Sequence, residues 1–92
     1  MAGSRVWIAR IVFPAEVARK LRGKHGVMPW EVAEACAFGA HREARWDTHP
    51  VHGRRLLVLG ETYRGDRILA YLRPIDEADG VWECRTARRL RP

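Results

Sequence analysis

Arginine carries nearly all the positive charge of this 92-residue chain: lysine occurs only at Lys20 and Lys24, and the net charge is +6. A guanidinium presents a planar fork that grips phosphate or carboxylate through two parallel hydrogen bonds. The charge balance implies an anionic partner, nucleic acid or an acidic protein, without choosing between them. Arg64, Arg85 and Arg88 can converge on one phosphate if the last two strands pair beside a hairpin. His25 is the natural group to move a proton, because histidine changes charge near neutrality. Glu61, on the same predicted sheet, is a second candidate base. The plainer alternatives are a solvated cationic face for the arginines and a helix C-terminal cap for His25.

Other residue types offer less. His49-x-x-His52 has short ligand spacing and His41 lies upstream, but only Asp47 flanks the pair closely, so exposed loop histidines are favoured over a metal site and no cofactor is expected. Cys36 and Cys84 lie far apart in apolar surroundings and are read as two reduced, buried thiols.

These side chains need a scaffold, and the stretch Arg54 to Arg73 supplies its centre. Leu56-Leu57-Val58-Leu59 and Ile68-Leu69-Ala70-Tyr71-Leu72 are apolar runs too short for independent helices, so they predict two central strands. Gly65 lies between them and can take the positive φ of a tight turn. Apolar residues on both faces predict a sheet covered by helices on at least one side. Before it, Arg5 to Phe13 reads as a first strand. Pro14 opens a helix whose stripe is Phe13, Val17, Ala18 and Leu21, ending near Gly23 and Gly26. Pro29 opens a second helix to about Phe38, with Trp30, Ala33 and Ala37 on one face beside Val32 and Cys36, Glu31 and Glu34 pointing elsewhere, and Gly39 as the stop. His41 to Trp46 reads as an edge strand, Asp47 to Gly53 as a loop, and Ile75 to Gly80 as an acidic turn after Pro74 ends the second central strand. Val81 to Ala87 is a last strand, with Trp82, Cys84 and Thr86 on one face and Glu83 and Arg85 on the other, followed by a basic tail.

The order predicts one α+β domain over residues 1–92: two N-terminal helices packed on a curled, mainly antiparallel sheet. An apolar share of 47% and four tryptophans suit a folded globule. With no apolar run near the length of a membrane span and no signal-peptide core, the expectation is a cytoplasmic protein.

At this level the residues resemble a known family. Arg19-Lys20-Leu21-Arg22-Gly23-Lys24-His25-Gly26-Val27, then Pro29-Trp30-Glu31-Val32-Ala33-Glu34, is similar to the opening of BrnT-like toxins. Gly53 to Thr62 is similar to that family's central strand, and Cys84-Arg85-Thr86-Ala87-Arg88-Arg89 resembles its closing signature. The likeness spans about residues 10 to 90, through the order and spacing of short motifs. It implies a RelE/ParE-like fold, a metal-independent endoribonuclease that inhibits translation, and neutralisation by a cognate antitoxin, with a heterotetramer built on an antitoxin dimer. Lys24, His25, Glu34, Arg64 and Arg88 are the positions it carries over.

Cutting RNA without a metal needs a base for the 2′-hydroxyl, cations around the crowded phosphate and an acid for the leaving oxygen. The expected catalytic set is therefore His25, Glu61, Arg64 and Arg88, with Lys24, Arg73, Arg85 and Trp82 binding substrate. Trp82, Trp46 and Tyr71 can stack on unpaired bases, although core packing is the commoner fate of such residues. The rival expectation is a non-catalytic module of the same fold that grips an acidic protein or nucleic acid, favoured by the closing signature lying so near Pro92. A DNA-binding regulator ranks last, since Pro29-Trp30 is poor material for reading base edges.

Overall fold

A computed structural model of the chain describes residues 6–37 and 42–90. The elements run β1 (Arg10–Val12), α1 (Ala15–Lys20), a π-helical turn (Leu21–His25), α2 (Pro29–Cys36), β2 (Glu43–His49), β3 (Gly53–Glu61), β4 (Arg67–Asp76) and β5 (Val81–Leu90). The strands form one open, mixed sheet in the order β1-β5-β4-β3-β2. The α+β class and the antiparallel meander β2 to β5 are as expected. The helices are not N-terminal, because β1 precedes them and runs parallel to β5. The expected residues Arg5, Phe38, Gly39 and His41 lie outside the described residues.

Strand alternation gives the sheet two unlike faces. Leu56, Val58, Ile68, Ala70, Leu72, Trp82, Cys84 and Ala87 point to one of them and are buried with Val17, Leu21, Val27, Val32, Ala35 and Cys36 from the helical side. α2 lies so close to β3 that a Cβ on Gly60 would sit 1.8 Å from the Ala35 carbonyl oxygen, so only glycine fits there. The hairpin between β3 and β4 turns at Gly65, with φ of 94° as a tight turn requires.

Several boundaries differ from expectation for identifiable reasons. Pro74 lies inside β4 beside a register irregularity between Pro74 and Asp76, where its missing N–H leaves no gap in a regular ladder. β2 runs on through Asp47 to His49, pairing with Arg55 to Gly53, so the loop shortens to residues 50–52. The supposed basic tail is strand: Arg88, Arg89 and Leu90 pair with Leu69, Ile68 and Arg67. The buried stripe of α2 is Glu31, Val32, Ala35 and Cys36, and Trp30, Ala33 and Ala37 face outward. Both cysteines are free and buried; burial pushes each thiol up from 9.0 to about 12. No helix among the described residues is long and apolar enough to cross a membrane.

Candidate functional site

The helices cover one face of the sheet, and the other carries the charge. Arg55 on β3, Tyr71 and Arg73 on β4, and Arg85, Thr86 and Arg88 on β5 come together there. A break in register makes the grouping. Tyr71 pairs with Thr86 and Leu72 with Cys84, leaving Arg85 as the extra residue of a β-bulge. A bulge re-aims the residues it contains, and here Arg85 and Thr86 serve the same face. The expectation that Thr86 shares a face with Trp82 and Cys84 fails for this reason.

Three hollows that share lining residues lie on this face and along its β5 edge. One of about 290 Å³ is lined by His25, Arg55, Tyr71, Thr86, Ala87 and Arg88. A second, about 370 Å³, is lined by Val51, His52, Arg55, Arg73, Arg85 and Thr86. The third, about 490 Å³, runs between α1 with its π-helical extension and β5, and includes Lys20, Lys24, His25, Glu83, Arg85 and Thr86. Arg55 and Thr86 are shared by the first two, and Thr86 by all three. His25 reaches this face because β1 pairs only with Val81 to Glu83, so the rest of that β5 edge is free for the helical turn to pack against.

Of the arginines that line the hollows, Arg55 is well enclosed. Its side chain is only 18% exposed, its Cζ lies 4.7 Å from the centroid of the Tyr71 ring, and its Nη2 donates to Asp47 Oδ2 at 3.1 Å. Its Nε is buried without a hydrogen-bond partner. Arg73 and Arg85 flank Glu83, with nitrogens 2.6 and 3.6 Å from the same Oε1. That oxygen accepts no aligned hydrogen bond, so the contact is ionic and leaves guanidinium N–H groups pointing elsewhere. Arg73 and Arg85 side chains stay about half exposed, at 56% and 48%. Among the described residues, Asp47, Glu83 and Glu16 are the carboxylates that pair with Arg55, Arg73, Arg85 and Arg88 or line a hollow with them, so the cations stay in excess there.

The expected site residues divide accordingly. His25, Lys24, Arg73, Arg85 and Arg88 border the basin. Glu61 and Arg64 do not: Glu61 ends β3, roughly 20 Å along the strand from Arg55 at ~3.3 Å per residue, and pairs with Arg67. Arg64 sits exposed in the β3–β4 turn, close enough to Glu31 to help hold that carboxyl down. Glu34 accepts the Tyr63 N–H at 3.0 Å and braces the same turn. Trp82 is fully buried; it stacks at 5.7 Å from Trp46 and its Nε1 donates to the Trp7 carbonyl at 2.9 Å, so it offers no face to a base. Of the proposed aromatic platforms, Tyr71 lies in the basin under Arg55, and Trp46 is capped by Arg54 at 3.5 Å.

Residues of importance were also missed. Arg55 and Thr86 lie inside segments that carry the resemblance but were given no site role, and only register brings them to the centre. Glu31 is buried at 5% exposure instead of pointing to solvent. It accepts the Met28 N–H at 2.9 Å, which opens α2 from the carboxylate side of a capping box, and accepts both arms of Arg89 at 3.1 and 3.2 Å. The Met28 bond, then the Arg89 fork, then the charges of Arg89 and Arg64 hold its carboxyl below 4.5 against the opposing effect of burial. Arg89 also donates to the Gly26 carbonyl at 2.9 Å and meets Asp66 at 3.2 Å. The signal was present: Glu31 stands three residues after Met28 at a helix start.

No group of three or more metal-ligating side chains occurs among the described residues. His49 Nδ1 accepts the N–H groups of Val51 and His52 at 3.0 and 3.1 Å, so the His49-x-x-His52 spacing builds a turn. In comparisons with models of protein families, with curated proteins and with solved structures, nothing matches this chain.

Proposed function

We propose that the uncovered face of the sheet is an RNA site, and that the protein cleaves RNA without a metal as the toxin half of a toxin–antitoxin pair. The observation that carries this reading is the basin itself: Arg55, Arg73, Arg85 and Arg88 gathered around Thr86, with His25 on its wall. Guanidinium forks on a partly enclosed surface suit a phosphodiester, whose charge grows more crowded in the transition state. His25 supplies a proton-transfer group beside them. The order of short motifs around Lys24-His25 and Thr86 to Arg89, similar to BrnT-like toxins, supports the toxin role and with it an antitoxin partner and a RelE/ParE-like assignment. Two of the expected catalytic groups, Glu61 and Arg64, drop out of the site.

The test compares wild type with Arg85→Ala/Arg88→Ala and with Glu61→Gln/Arg64→Ala, by growth after induction and by cleavage of a single-stranded RNA. Arrest and cleavage should vanish in the first double variant and persist in the second. Loss in the second with survival in the first would sink the site.

A second reading keeps the face and removes the chemistry: a module that grips an anionic partner. Glu83 favours it, because a carboxylate between Arg73 and Arg85 tempers the charge a reacting phosphate would need. Steeply salt-dependent RNA binding without any cleavage would select this reading, with the slope falling by ~0.7 for each phosphate-contacting arginine removed.

A further inference from the structure

The basin has two histidines, each lining a different hollow. His25 lines the hollow that holds Arg88, and His52 lines the hollow that holds Arg73 and Arg85. Arg55 and Thr86 line both hollows, so the two imidazoles border neighbouring spaces that share these residues. His52 is also held in place. Its backbone N–H donates to His49 Nδ1 at 3.1 Å, and its ring stacks on His49 with centroids 4.5 Å apart. Because His49 Nδ1 accepts two backbone N–H groups, His49 is occupied in building the turn, and His52 is the one that faces the arginines.

An in-line displacement at phosphorus needs proton acceptor and proton donor on opposite sides of the phosphate, since attacking and leaving oxygens lie opposite one another. Resting on the RNA-cleavage reading above, we infer that His52 is the proton donor to the leaving group, paired with His25 as the base. With the phosphate over Arg55 and Thr86, neutral His25 takes the proton of the 2′-hydroxyl and the 2′-oxygen bonds to phosphorus. The bond from phosphorus to the 5′-oxygen breaks, and that oxygen takes a proton from charged His52. The products are a 2′,3′-cyclic phosphate and a 5′-hydroxyl. No oxidant or metal enters, and solvent exchange returns both imidazoles to their starting forms. Arg85 and Arg73, beside His52, stabilise the phosphoryl oxygens.

The bond that wild type cuts in a single-stranded RNA is first mapped, and the same RNA is then made with sulfur replacing the 5′-oxygen at that bond. A thiolate leaves without protonation, so this substrate bypasses the donor. His52→Ala and His52→Gln should each cut ordinary RNA about 10²-fold or more slowly and cut the sulfur substrate close to the wild-type rate; His25→Ala should be slow on both. Unchanged melting temperatures would set aside a structural cause, and the two His52 substitutions guard against one misfolding. Normal cutting of ordinary RNA by the His52 variants, or equal slowing on both substrates, overturns the assignment while leaving the RNA-cleavage reading standing. Rescue of His25→Ala in place of His52→Ala overturns it as well. Wild type that cuts neither substrate overturns the reading and this inference together.

Discussion

Arg88 and Arg89 are neighbours in the chain and belong to opposite sides of the molecule. Arg89 turns under the helices, where Glu31, the Gly26 carbonyl and Asp66 satisfy its guanidinium. Arg88 turns to the uncovered face and borders a hollow with His25 and Thr86. The same contrast separates the two faces as wholes. The covered face sets its charges against specific partners and packs Gly60 against a helix backbone. The uncovered face pairs Arg55 with Asp47 and leaves Arg73 and Arg85, which share Glu83, about half exposed. A satisfied arginine contributes to the fold, and an unsatisfied one is available to a ligand.

The contrast can be tested hardest where the covered face is tightest. Gly60→Ala drives a methyl group into the Ala35 carbonyl and should cost about 3 kcal/mol or more, read as a lowered urea midpoint. A midpoint near wild type would mean that α2 does not sit where described.

The paired arginines give the sharper comparison. Arg89→Ala leaves a carboxylate of 5% exposure without its partner and should cost about 2–3 kcal/mol, below the figure for a deeply buried pair because the Arg89 side chain is 30% exposed. Arg88→Ala should stay within about 0.5 kcal/mol of wild type and weaken RNA binding instead. Equal losses of stability in the two variants would break the distinction between the faces.

The smallest effect is in acid. The Glu31 carboxyl is held below its ordinary 4.5 in the folded chain, so the unfolded chain binds that proton first as pH falls. The stability Glu31 provides is therefore complete above about pH 4.5 and is lost as pH drops through the folded value. Glu31→Gln should be less stable at neutral pH and show a shallower acid decline. Parallel curves for the two chains would show that the Arg89 contact is not charge-dependent.

Much of the scaffold was legible in the residues. Apolar runs at Leu56 to Leu59 and Ile68 to Leu72 marked the central strands, Gly65 marked their turn, and Pro14 and Pro29 marked the helix starts, because burial and backbone sterics act locally on those residue types. The stripe Val17 and Leu21 was legible for the same reason. The misplaced face of α2 came from giving Trp30 to the core and pointing Glu31 elsewhere, when a partly buried arginine partner reverses that preference.

The site was legible in kind and not in membership. Composition and order alone determined that the chain is strongly cationic through arginine and predicted an α+β fold, with His25, Glu61, Arg64 and Arg88 as candidate chemistry and Lys24, Arg73, Arg85 and Trp82 as candidate binders. Tertiary structure decided which arginines meet. Side-chain direction in a strand depends on register, and one extra residue in β5 moves Thr86 from the core face to the basin. Pairing then placed Arg55 at its centre, left Glu61 and Arg64 at the far end of the sheet, sealed Trp82 inside, and brought His52 from a loop to the rim. A bulge, a register and a buried ion pair depend on partners distant in sequence, and such partners are fixed only when the strands align.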